Sequence, residues 1–158
     1  MKIAALQTVS SSDVSRNLAA AARLIGQAAH KGATLAALPE YFCLMGRRDD
    51  DKLAIAEVPG QGPIQDFLGA QARAHGLWLV GGTLPLQTTA PGRVRNACCV
   101  YAPDGTLAAR YDKIHLFRYD NGRESYDEAR VLEAGAEPVT LQAGPLRLGL
   151  SVCYDLRF

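Results

Sequence analysis

The chain has 158 residues, 48% of them hydrophobic and 21% charged, with 17 Lys and Arg set against 16 Asp and Glu. That length predicts one domain able to bury roughly 70% of its unfolded surface, and the composition excludes intrinsic disorder. A net charge of +1 gives no electrostatic case for nucleic acid or an acidic membrane, and no apolar run approaches the roughly 20 residues a membrane helix needs. Met1 to Val9 is too short and too quickly polar for a secretory signal. The four cysteines, Cys43, Cys98, Cys99 and Cys153, show neither a disulfide framework nor CxxC spacing, so a reducing, cytoplasmic setting is expected.

Lys2 to Val9 reads as a buried strand, since Ile3, Ala4, Ala5 and Leu6 run nearly without a polar break. Ser12 or Asp13 then caps a helix whose apolar positions Val14, Leu18, Ala21, Ala22, Ile25, Ala28 and Ala29 follow the helical period. Lys31-Gly32 closes it, the glycine being free to turn left-handed. Thr34 to Leu38 is a second strand, stopped by Pro39-Glu40 because proline cannot donate to a ladder. Strand, helix, strand is the opening of an α/β layered fold.

Tyr41 to Gln61 reads as irregular, with charged Arg47 to Lys52 solvated. Gly62-Pro63 opens a second amphipathic helix that ends at His75-Gly76, and Leu77 to Thr83 is a third strand. Arg95 to Tyr101 and Thr106 to Tyr111 flank Pro103-Asp104-Gly105, a turn that pairs them as a hairpin. Lys113 to Glu137 carries many charges and no period, and is expected to be a long functional loop with one short helix. Pro138 to Gln142 and Gly144-Pro145 lead into the last strand. There Leu146, Leu148, Leu150 and Val152 alternate with Arg147, Gly149, Ser151 and Cys153, placing the thiol at the strand's end and facing a cleft.

Three reactive side chains share a kind of position. Glu40, Lys113 and Cys153 each follow a strand, and ligands in layered α/β proteins bind at the carboxyl ends of strands. A carboxylate can act as base on a thiol, the thiolate can attack a carbonyl, and an ammonium can stabilise the resulting oxyanion. The backbone N–H of Tyr154 could add a second oxyanion donor. Singly, each residue has a plainer reading: a solvated acid, a surface lysine, an inert strand cysteine of the kind Cys98 and Cys99 are expected to be.

Leu38-Pro39-Glu40-Tyr41, Tyr111-Asp112-Lys113-Ile114-His115-Leu116-Phe117 and Gly149-Leu150-Ser151-Val152-Cys153-Tyr154-Asp155-Leu156-Arg157-Phe158 resemble the three signature blocks of the nitrilase, or carbon–nitrogen hydrolase, superfamily. The blocks stand in the family's order and at its spacing, and within the superfamily they look most like the Nit branch of omega-amidases and deaminated-glutathione amidases. The resemblance implies that Glu40 is the general base, Lys113 the stabiliser of the tetrahedral intermediate and Cys153 the nucleophile. Glu128 resembles the family's additional catalytic glutamate, with Glu124 and Glu133 as nearby rivals. The implied reaction is hydrolysis of a linear amide of a small carboxylic acid through a thioester, with release of ammonia and without metal or organic cofactor. His30 and His75, at helix ends, are expected to be exposed, and His115 to pack or position.

The implied fold is a four-layer α-β-β-α sandwich that continues past the nucleophile and assembles as a homodimer. The 158 residues are therefore expected to form one carbon–nitrogen hydrolase domain, truncated after the nucleophile strand, with an unpaired sheet edge. A Cys-dependent acyltransferase would use the same thioester, and a catalytically inert remnant is the other alternative. A serine hydrolase lacks its second glycine around Ser151, and no phosphate-binding loop pattern is present.

Overall fold

Two short parallel pairings start the architecture of the computed structural model, which describes residues 1–158. Strand β1 (Ile3–Ala5) pairs with β2 (Leu35–Ala37), and the two are joined by helix α1 (Val14–His30). The side chain of Asp13 caps α1 by accepting from Arg16 N at 3.0 Å, and Gly32 leaves the helix with φ +80°. Ala21, Ile25 and Ala28, spaced four and three residues apart, are the face that α1 buries.

After a four-residue helix, α2 (Asp51–Ala54), comes α3 (Pro63–His75), which lies against α1. Its first turn is capped from outside by buried Glu57, whose Oε1 accepts from Ile64 N at 2.6 Å and whose Oε2 accepts from Gln65 N at 3.1 Å. A carboxylate satisfies orphan N–H groups and meets the positive end of the helix dipole. Gly76, left-handed at φ +59°, ends the helix.

The main sheet has six strands in the order β1-β2-β3-β5-β4, with β6 on the other side of β5. Strands β3 (Trp78–Val80) and β4 (Leu84–Gln87) both run antiparallel to β5 (Val94–Tyr101), whose hairpin partner is β6 (Leu107–Asp112). The third strand expected over Leu77 to Thr83 is thus broken and resumed. The break falls at Gly81-Gly82, where Gly82 has φ +53° and a Cβ would lie 2.1 Å from Pro39 O. Only glycine lets the Pro39-Glu40 corner come that close.

One face of the sheet packs on α1 and α3. Ile25, Phe42, Ile64, Leu68, Leu77, Leu79, Leu84 and Leu86 are sealed from solvent there, each contributing about 1.5–3 kcal/mol by burial. On the opposite face a smaller cluster joins Cys98 and Tyr111 to Val152, with Val80, Ile114, Val139 and Leu150 packed around it. Of these, Val139, Leu150 and Val152 flank the hairpin of β9 (Thr140–Ala143) and β10 (Leu146–Gly149).

Several expectations need correction. β1 is an edge strand with Ile3 56% exposed, not a strand covered on both faces. The charged stretch before α3 is not wholly solvated, because half-buried Lys52 lays its ammonium 4.8 Å from the centre of the Tyr41 ring. The expected loop over Lys113 to Glu137 contains a hairpin, β7 (Arg118–Asp120) with β8 (Ser125–Asp127), before its 3-10 turn Glu128–Arg130. The last strand stops at Gly149, and Cys153 opens a 3-10 turn, Cys153–Arg157. Its alternation holds nonetheless: Leu146, Leu148, Leu150 and Val152 turn inward while Arg147, Gly149, Ser151 and Cys153 are exposed.

Candidate active site

Glu40, Lys113 and Glu128 meet at one ammonium. Lys113 leaves the end of β6 with its backbone held at both sides, N donating to Asn96 O at 3.0 Å and O accepting from Gly135 N at 2.8 Å. Its side chain is fully buried, and Nζ donates to Glu40 Oε1 at 3.1 Å and to Glu128 Oε1 at 2.9 Å. Burial alone would lower the ammonium's pKa; the Glu128 hydrogen bond and the two carboxylate charges outweigh it and hold the pKa above its ordinary value. Lys113 is therefore a fixed cation.

Glu40 sits two residues beyond Leu38, the residue whose N–H extends the β2–β3 ladder to Val80 O. Its Oε1 accepts a second bond, from Asn96 Nδ2 at 2.7 Å. The next residue, Tyr41, has φ +53° and is anchored by its N–H donating to Thr83 Oγ1 at 3.0 Å. Glu128 begins the turn after β8 and spends its other oxygen, Oε2, on Phe117 N at 2.7 Å. Its two sequence rivals lie elsewhere: Glu133 pairs with Arg95, and Glu124 is exposed at the tip of the β7–β8 hairpin.

Cys153 is the one exposed cysteine; Cys43, Cys98 and Cys99 are buried, and burial pushes each of their thiols up to about 12. The Cys153 thiol is also raised, by partial burial first and by the Glu40 carboxylate second, with Lys113 pulling the other way. It rests as a thiol beside a carboxylate and an ammonium. Cys153 has φ +50°, and it and Tyr41 are the only non-glycine residues with positive φ. Such a conformation costs about 1–3 kcal/mol for a residue with a Cβ and persists only where the surroundings enforce it. Tyr154 follows as the second residue of the turn, its ring edge-on to Phe117 and Phe158.

The sequence reading missed Asn96 and Asp155. Asn96 follows Arg95 just before the apolar residues 97–101 of β5, and its burial, which the sequence does not display, is what sets it apart. Asp155 is buried beneath the Cys153 turn and accepts from Val152 N, His115 N and Tyr111 Oη. Tyr111, Lys113 and His115 alternate at period two, and that spacing hinted at a shared side. His115 stacks on Phe158, and His30 and His75 are exposed. A surface cavity of about 450 Å³ contains none of the four candidate residues; its lining includes Arg95, Arg110, Asp112 and Glu133, whose charges are already paired.

Residues 2–158 match the carbon-nitrogen hydrolase family, and the chain belongs to it. It is 35% identical to human omega-amidase NIT2 over 159 residues, covering 99% of this chain and 56% of that protein. The NitFhit protein of C. elegans superposes with a TM-score of 0.83 at 30% identity, over 99% of this chain and 38% of that one. A mutant of the amidase from Nesterenkonia, with acrylamide added at its active-site cysteine, superposes with a TM-score of 0.82 at 28% identity, over 100% of this chain and 58% of that one. These likenesses establish the nitrilase-type α/β fold. The chain spans about half the length of the curated relatives it matches.

Proposed function

We propose that this carbon–nitrogen hydrolase cleaves the linear amide of a small carboxylic acid through a thioester on Cys153, releasing ammonia. The observation that carries the reading is the bridging of Lys113 Nζ between Glu40 at 3.1 Å and Glu128 at 2.9 Å, beside an exposed cysteine. Glu40 takes the thiol proton as Sγ bonds to the amide carbon, so no resting thiolate is needed. Lys113 and the Tyr154 N–H take the negative charge that develops on the carbonyl oxygen. Collapse breaks the C–N bond, and Glu40 returns its proton to the leaving nitrogen as ammonia. Glu40 next deprotonates a water, which attacks the thioester carbon, and the acid leaves as Cys153 recovers its proton. Glu128 keeps the ammonium charged and in place throughout.

The omega-amidase name of the human relative and the modified active-site cysteine of the Nesterenkonia enzyme support this assignment. Ammonia release from the monoamide of a short dicarboxylic acid tests it. Release should be lost in Cys153→Ala; activity surviving in that variant would sink the proposed nucleophile.

A further inference from the structure

Cys153 stands in a left-handed turn with no glycine to ease it, and the groups enforcing that turn converge on one carboxylate. Asp155, two residues on, has a side chain only 6% exposed. Its Oδ2 accepts from Val152 N at 2.9 Å and from Tyr111 Oη at 2.6 Å. Its Oδ1 accepts from His115 N at 2.8 Å and faces His115 Nδ1 at 2.8 Å, which places the ring proton on that nitrogen. Val152 O accepts from Asp155 N at 3.1 Å in return, so residues 152 and 155 bond both ways around Cys153 and Tyr154.

The other two partners are placed just as pointedly. Tyr111 and His115 lie two residues before and two residues after Lys113, and Ile114 N donates to Tyr111 Oη at 3.2 Å. Past them, His115 stacks on Phe158 with 3.9 Å between ring centroids, which closes the far end of the same turn. A cap for the turn would need only the Val152 bond. The bonds to Tyr111 and His115 reach instead for the segment that carries the ammonium. An ionised carboxylate suits the position because it offers about four acceptor sites and no donor, matching four donors.

We propose that Asp155 is a positioning residue that holds Cys153 in its left-handed turn and sets that turn against the Lys113–Glu40 pair. Its consequence for turnover rests on the amidase reading above, but its placement of Cys153 does not. The ionised form is the working one, and Tyr111, His115 and Val152 together hold the carboxyl below its ordinary range against the cost of burial.

The test is the pH profile of Cys153 alkylation by iodoacetamide, which reads the thiol whether or not the chain turns over an amide. Glu40→Gln should lower the midpoint of the wild-type profile by about one pH unit, since it removes a like charge beside the thiol. In the Asp155→Asn background the same substitution should shift the midpoint by less than about a third as much, because Cys153 no longer sits beside Glu40. The charge lost from Asp155 itself cancels in this comparison. An equal Glu40→Gln shift in both backgrounds, or none in the wild type, overturns the proposal. Where circular dichroism shows Asp155→Asn unfolded, Tyr111→Phe, which keeps every charge, decides by the same criterion; unfolding of both variants also overturns it, leaving Asp155 as a stability residue. Ammonia release is measured alongside. A chain that shows the expected shifts but releases no ammonia refutes the amidase reading and keeps the positioning role.

Discussion

Asn96 donates its side-chain Nδ2 to Glu40 Oε1 at 2.7 Å while its own carbonyl accepts from Lys113 N at 3.0 Å. One buried strand residue thereby touches both members of the proposed base–cation pair. Its Oδ1 is buried and accepts from no protein donor. Glu40 Oε1 accepts from both Asn96 and Lys113, so losing Asn96 would let the carboxylate turn wholly toward the ammonium and away from Cys153. Asn96→Leu, similar in volume, should lower kcat about tenfold, with thermal stability changed by less than about 1 kcal/mol because the orphan acceptor goes too. Unchanged kcat in a well-folded Asn96→Leu chain would remove Asn96 from the site.

Glu128 matters for a different reason, charge compensation in a dry place. The Lys113 side chain is fully buried and its charge is met only by Glu40 and Glu128. Removing one partner of a buried pair costs about 3–5 kcal/mol, because the remaining charge is left undersolvated. Glu128→Ala should lose about that much in urea unfolding, together with all detectable ammonia release. Glu128→Gln should also fail, since its amide cannot accept from both Lys113 Nζ and Phe117 N. A stable, active Glu128→Gln would show that the carboxylate's charge is dispensable.

How much of this was readable in advance divides along local and distant causes. Helices α1 and α3 were set by their own ends, Asp13 with Lys31-Gly32 and Gly62-Pro63 with Gly76, so the sequence carried both. The β7–β8 hairpin has Asn121-Gly122 at its turn, a signal that went unread because Arg118 to Asp120 and Ser125 to Asp127 show no buried face. Glu40, Lys113 and Cys153 were visible as reactive groups at strand ends and through three family-like blocks. Their alignment was not, because it depends on bonds that span 40 or more residues, Asp155 with Tyr111 and His115 and Asn96 with Glu40. The exposure of Ile3 was hidden for a related reason: an unbroken apolar run describes a strand's own residues and not what covers them.

Stability against acid should report Asp155. Its folded pKa is depressed, so the ionised carboxyl stabilises the fold above the ordinary value of 3.8, and that contribution is lost as pH falls from there toward the folded value. Urea unfolding followed from about pH 6 to about pH 3 should therefore decline in the wild type and run flatter in Asp155→Asn. Lys113 contributes in the opposite sense: its folded pKa is raised, so its stabilisation is complete below 10.5 and fades only at more alkaline pH. Parallel acid limbs in the wild type and Asp155→Asn would show that the carboxyl is not held ionised by its neighbours.

Gly82 joins backbone geometry to the chemistry most directly. It takes φ +53° at the break between β3 and β4, and a Cβ there would come within 2.1 Å of Pro39 O and 3.0 Å of Leu38 O. Neither obstacle is a flexible side-chain end; both are main-chain carbonyls of the corner that delivers Glu40. Gly82→Ala must therefore push that corner outward as well as accept a left-handed alanine, which alone costs about 1–2 kcal/mol. Thr83, the next residue, anchors Tyr41 N through its hydroxyl at 3.0 Å, so the displacement reaches both sides of Glu40. The expected outcome is a melting temperature lowered by several degrees and a kcat lowered by about a hundredfold, a larger loss than destabilisation alone produces in a chain still folded at the assay temperature. Gly76→Ala is the control: it has a similar φ of +59° and nothing within 4 Å of the added Cβ, so it should lose stability and keep kcat. Equal kcat in the two folded variants would separate the Gly82 contact from catalysis and leave it a matter of strand geometry.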